Sequence, residues 1–178
     1  MRLIFGTAVL VLAGLVCLEV LRRLFRPNYR KRRHSRKQEQ GRRVLEKING
    51  FPLMGQRLSY LRKMDPFAFE ELLLEAFERG GYEVRRNRRY SGDGGIDGVV
   101  VKDQTRFLVQ AKRYRGYINR ADVEAFGQVL EARRVRGFFC HTGKTGREAK
   151  AEAARGGRMT ILSGHKLLEF LAEAERSE

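Results

Sequence analysis

Residues 65–81, DPFAFEELLLEAFERGG, mark both ends of a helix in their own letters. Asp65 is an N-cap residue, Pro66 suits the first helical position, where no N–H is needed, and Gly80-Gly81 stops the run. Between them Phe69, Leu72, Leu73, Ala76 and Phe77 form one apolar stripe. From this helix onward the punctuation is regular. A strand is expected near YEVRR, then a hairpin over 91–114, a helix near DVEAFGQVLEARR, the strand GFFCHT, a helix near GREAKAEAAR, the strand MTILS and a closing helix HKLLEFLAEAE. Strands alternating with helices after a hairpin predict an α/β domain, a mixed sheet covered by helices, of about 115 residues.

Charge divides the chain at the same place. Residues 1–63 carry 16 Lys/Arg against 3 Asp/Glu, and residues 64–178 carry 21 against 18, so most of the +16 net charge precedes the predicted domain. An excess of this kind points to nucleic acid or anionic lipid as partner. Two cysteines, Cys17 and Cys140, give no disulfide framework, and His34, His141 and His165 give no zinc spacing.

The N-terminal run LIFGTAVLVLAGLVCLEVL, residues 3–21, has no charge before Glu19. As a helix it is roughly 28 Å long, enough to cross a bilayer core of about 30 Å. We read residues 1–22 as a transmembrane anchor in preference to a cleaved signal, because no A-x-A-like site follows and arginines come at once. Arg22, Arg23, Arg26 and the basic run 30–37 lie after the span, and only Arg2 before it. The positive-inside rule then places the C-terminal domain in the cytoplasm, at a bacterial-type inner membrane. Residues 23–63 read as a basic juxtamembrane linker with one short helix at RRVLEKI. The basic run itself has two readings, a flank on anionic membrane lipids or a DNA-binding arm.

The hairpin SGDGGIDGVVVKDQTRFLVQAKRY places polar groups among core residues. If Val101 pairs with Arg106, through either a two- or a four-residue loop, then Val99 faces Leu108 and Asp97 faces Gln110. Lys112 lies two residues beyond Gln110, on the same face. Two oxygen donors beside an ammonium suit a Mg²⁺ ion and attack on a phosphodiester. Gly94 and Gly95 leave room for a phosphate backbone to approach.

FAFEELLLEAFERGGYEVRRNRRYSGDGGIDGVV followed by FLVQAKRY, continuing through VEAFGQVLEARRVRGFFCHTGKTGREAKAEAARGGRMTILSGHKLLEFL, resembles the catalytic domain of Mrr-type restriction endonucleases, within the PD-(D/E)xK nuclease superfamily. The resemblance covers residues 65 to about 170. It implies a restriction-endonuclease-like mixed sheet flanked by helices over residues 64–178, here preceded by the added transmembrane helix. It also implies Mg²⁺-dependent DNA cleavage, with Mn²⁺ as a substitute ion. By position Asp97 matches the metal-binding aspartate, Gln110 the glutamine used where relatives have an acid, Lys112 the motif lysine, and Glu70 the glutamate of the first helix. Glu70 borders the apolar face of its helix in any case, seven residues before Phe77. Asp93 either shapes the glycine turn or binds a second ion. The Q-x-K variant leaves the site one carboxylate poorer, so the alternative is an inactive, membrane-tethered DNA-binding or adaptor protein with a nuclease fold.

Other expected DNA contacts are Arg88, Arg89, Arg113 and Arg115, interleaved with Tyr90, Tyr114 and Tyr117, together with Thr142 and Lys144. HTGKTGREAK is not a P-loop, because Phe138 stands where that motif needs its first glycine. A turn entering a helix still predicts an anion site over Thr142–Thr145 through backbone N–H groups. No separate recognition domain follows, so target choice falls to a partner protein or is poor.

Overall fold

The computed structural model describes residues 14, 15, 17–21, 35–86 and 95–177. It divides into two compact units, Met1–Lys37 and Gln38–Glu178. In the first unit, residues 14, 15 and 17–21 are helical, with Leu15, Leu18, Val20 and Leu21 exposed. Among the described residues no helix is long and apolar enough to cross a membrane. Most of the expected span lies outside those residues, as do Arg88, Arg89, Asp93 and Gly94.

The second unit contains α1 (residues 38–48 of the helical run 35–48), α2 (Met54–Lys63), α3 (Pro66–Arg79), β1 (Glu83–Arg86), β2 (Gly98–Lys102), β3 (Thr105–Lys112), α4 (Arg120–Ala132), β4 (Arg136–His141), α5 (Arg147–Arg155), β5 (Met159–Ser163) and α6 (Gly164–Arg176). The sheet order is β1-β2-β3-β4-β5. The first three strands are antiparallel, and β3, β4 and β5 run parallel, each crossover carrying a helix.

The ends of α3 form as its letters require: the Asp65 side chain accepts from the Ala68 N–H at 3.2 Å, and Gly80 closes the helix. The hairpin turns on two residues, Asp103 (φ 49°) and Gln104 (φ 61°), both left-handed, as a tight primed turn between right-twisted strands demands. The expected register holds from Gly98↔Val109 to Lys102↔Thr105.

Period-two alternation sends the sheet's side chains into two cores. On one face Val100, Val109, Phe107 and Ala111 pack with α1, α2, α3 and α6. On the other, Leu108, Phe139, Val99 and Ile161 pack with α4 and α5. The domain is therefore larger than the 64–178 expected from sequence. Val44, Leu45, Ile48 and Leu61 are buried in the first core, so residues 38–63 are part of the fold rather than a linker. The basic excess hid them, because each helix presents one narrow apolar stripe beneath exposed charges. Burying each of these side chains contributes about 1.5–3 kcal/mol.

Candidate active site

The site lies at the carboxyl end of β3. Gln110 and Lys112 alternate with Ala111, which packs into the first core, and so they share the α4 face with Leu108. Gln110 is buried, and its Oε1 has no hydrogen-bond partner among the described residues. Its Nε2 lies 2.5 Å from where a Cβ on Gly95 would sit, and Gly95 has φ 81°. Only glycine satisfies both conditions.

Asp97 is placed differently from expectation. β2 begins at Gly98, and at Asp97 the ladder changes hands: its N–H bonds Val109 O at 2.9 Å, and its Oδ2 accepts from the Ala111 N–H at 2.6 Å. Asp97 is therefore not a ladder partner of Gln110; its carboxylate replaces a main-chain carbonyl at the neighbouring amide. One oxygen is held by that bond. Burial pushes its pKa up to about 6, against the lowering pull of the Ala111 N–H and of Lys112.

Glu70 comes from α3. Leu74, one turn further along the helix, packs against Gly98 so closely that a Cβ there would stand 2.5 Å from its Cδ2. The face bearing Glu70 and Leu74 is thus pressed onto the start of β2. Burial, then the nearby charge of Asp97, raises Glu70 to about 8. Asp97 ionises first, and its charge helps Glu70 to keep its proton.

Lys112 Nζ lies 3.6 Å from Asp122 Oδ1 in the first turn of α4, and Tyr114 Oη donates to Asp122 Oδ2. Sequence reasoning passed over Asp122, since an acid in a first helical turn reads as a response to the helix dipole. It also passed over His141, fully buried beside β3, whose Nδ1 accepts from the Gly143 N–H while its Nε2 contacts Thr145 Oγ1 at 3.1 Å. Burial lowers its pKa to about 4.

The basic rim divides. Arg115 and Lys144 are exposed, with Lys144 Nζ 5.9 Å from the exposed Tyr117 ring. Arg113 turns inward and donates through Nη1 to Met64 O and Arg62 O, a clamp on the end of α2 rather than a free rim cation. Thr142 is corrected as well: it is fully buried, its hydroxyl donates to Tyr114 O, and Arg62 holds its carbonyl. Three of the four N–H groups of the expected anion turn are also already used. The N–H groups of Thr142, Gly143 and Lys144 already bond Lys112 O, His141 Nδ1 and Gly116 O, so they cannot also hold a phosphate.

Residues 61–171 match the restriction endonuclease family Mrr_cat. The chain belongs to that family. The Mrr_cat match takes in all four residues of the site and stops short of α1. The chain is similar to the type IV methyl-directed restriction enzyme EcoKMrr of Escherichia coli (strain K12), 31% identical over 126 residues. That stretch is 66% of this chain and 41% of the relative, so the chain spans about two fifths of the relative's length.

The Mrr_cat domain's donor set fits a hard dication. Among the described residues there is no cluster of three or more His, Cys, Asp or Glu that could hold a metal ion. What the site offers instead is two carboxylates and the partnerless amide oxygen of Gln110. Oxygen donors of this kind suit Mg²⁺, which keeps several waters and needs few protein ligands.

Proposed function

We propose that this chain is a metal-dependent DNA endonuclease that hydrolyses phosphodiester bonds at the end of β3, with Asp97, Gln110 and Glu70 holding Mg²⁺ or Mn²⁺. The observation that carries the reading is the buried Oε1 of Gln110, orphaned beside carboxylates that burial has left short of charge compensation. Mg²⁺, when bound, supplies Lewis-acid stabilisation of the charge that develops on the phosphate oxygens.

The chain's own residues do the rest. Asp97, fixed by Ala111, gives a carboxylate oxygen that does not need to reorganise. Lys112 brings an ammonium toward the scissile phosphate, offsetting its growing negative charge and orienting the attacking water. Glu70, neutral near pH 7 when no cation is present, gives up its proton as the ion enters. Arg115 and Lys144 track the phosphate backbone, and Arg88 and Arg89 are further proposed DNA contacts.

The fold supports a restriction-endonuclease-like assignment for residues 64–178, here extended back to residue 38. Residues 1–22 form a membrane anchor in this reading, with the basic run 30–37 on anionic lipids and the nuclease facing the cytoplasm. The name of the E. coli relative makes methylated DNA the first substrate to try, with a partner protein as the proposed source of target choice.

The test is cleavage of supercoiled plasmid, methylated and unmethylated, with Mg²⁺, Mn²⁺ or EDTA. The expected result is nicking by the wild-type chain only with metal, lost in Lys112→Ala while DNA binding persists. Binding without cleavage in either metal would instead establish the tethered DNA-binding protein, with Gln110 as the reason.

A further inference from the structure

Lys112 carries its charge on four rotatable bonds at the end of a strand, with its side chain 38% exposed. Such a lysine is ordinarily solvated and mobile. Here its Nζ meets Asp122 Oδ1 at 3.6 Å, and every part of the counterion is itself held. Tyr114 Oη donates to Asp122 Oδ2, so the two carboxylate oxygens have separate partners. Tyr114 is fixed in turn, its carbonyl accepting from Thr142 Oγ1 at 3.0 Å. Asp122 sits in the first turn of α4, where its N–H bonds Asn119 O at 3.2 Å and the Asn119 side chain caps the Ala121 N–H at 3.0 Å. A carboxylate that served only the helix dipole would need neither Tyr114 nor Lys112. A half-exposed ion pair of this kind adds little to stability, so its effect is on geometry.

We propose that Asp122, steadied by Tyr114, is a positioning residue that holds the Lys112 ammonium over the site for phosphodiester hydrolysis. This rests on the nuclease reading above. Asp122 touches no reacting atom; it acts through Lys112. The isosteric Asp122→Asn keeps an acceptor for Tyr114 but loses the charge that attracts the ammonium, and misplacement at this scale lowers cleavage about 10²-fold.

The test uses the full chain in detergent, with three readouts on wild type, Asp122→Asn, Asp122→Glu and Tyr114→Phe. Under single turnover with Mg²⁺, Asp122→Asn should cleave about 10²-fold more slowly, Asp122→Glu should recover much of the rate, and Tyr114→Phe should lose only several-fold. DNA affinity in EDTA should stay within about twofold of wild type, placing the loss in the rate rather than in binding. With ¹³C-labelled lysine, the Lys112 side chain should be ordered in the wild type and as mobile as exposed Lys144 in Asp122→Asn. A Lys112 already as mobile as Lys144 in the wild type overturns the proposal, as does an Asp122→Asn variant that cleaves at the wild-type rate. A wild-type chain that binds DNA but cleaves nothing overturns the catalytic role and the nuclease reading together, whereas a mobile Lys112 in an active enzyme overturns the positioning role alone.

Discussion

Adjacent residues of one helix meet opposite fates. Glu71 is 3% exposed and lies 3.1 Å from Arg86 Nε; Glu75, one turn on, has Arg42 and Arg79 at 3.2 and 3.3 Å. Glu70 makes no ion pair among the described residues, and its nearest strong influence is another carboxylate. Arginines pair with the first two and tie α3 to α1 and β1. The Glu70 and Asp97 carboxyls are instead pushed toward the neutral form, at a cost that an arriving cation would remove. A protein that needed these two only for its fold would have neutralised them as it did their neighbours. The difference separates carboxylates that hold the domain together from carboxylates kept for a ligand.

That contrast can be attacked at several points. The largest expected effect is on chemistry: Asp97→Asn, which keeps an acceptor for the Ala111 N–H, should lower cleavage at least about 10³-fold with the fold intact, read as single-turnover rates beside circular dichroism. On the neighbouring face of the helix, Glu71→Ala should remove one of three carboxylate partners from the half-buried Arg86 and destabilise the domain by about 1.5 kcal/mol in urea unfolding, with cleavage at low temperature preserved. If Glu71→Ala abolishes cleavage in a folded protein, the division between structural and ligand carboxylates is wrong.

pH sharpens the same contrast. His141 has a folded-state pKa near 4, below its ordinary 6.5, so the unfolded chain takes up the proton first as pH falls. Its contribution is fully present above pH 6.5 and is lost toward pH 4, by up to about 3 kcal/mol. His141→Gln should flatten the difference in unfolding free energy across that window. Glu70 runs the other way. With its folded pKa raised from 4.5 to about 8, the metal-free domain should lose stability as pH rises from about 4.5 to 8. Glu70→Gln should remove the loss above about pH 6, leaving below it the share of Asp97, and a Tm that still falls in parallel with wild type would show that Glu70 is solvated. The smallest effect belongs to the rim: Lys144→Ala should weaken DNA binding about twofold at low salt and not at high salt, by fluorescence anisotropy.

Much of this was legible in the letters where local rules govern. Asp65, Pro66 and Gly80 bounded α3, and the β2–β3 register followed once Val101 was paired with Arg106 around the KDQT loop. Legibility ended where tertiary geometry takes over. Nothing in a basic stretch rich in arginine announces that Leu45 and Ile48 will be sealed under it. Periodicity could place Asp97 near Gln110, but not reveal that its side chain would take over a main-chain bond to Ala111. Arg113 and Thr142 looked like phosphate contacts because residue type shows a donor and not whether the fold has already used it. Asp122 was invisible as a partner of Lys112 because nine residues of chain lie between them, and only the turn from β3 into α4 brings them together.

The most direct test of the central contrast is the melting temperature of wild type and Asp97→Asn, each with EDTA and with millimolar Mn²⁺. Expected is a metal-free Asp97→Asn at least as stable as wild type, and a Mn²⁺ shift of about 3 °C in the wild type at tenfold its Kd that is absent from the variant. An equal Mn²⁺ shift in both proteins, or none in either, would mean that these carboxylates are not kept for a cation.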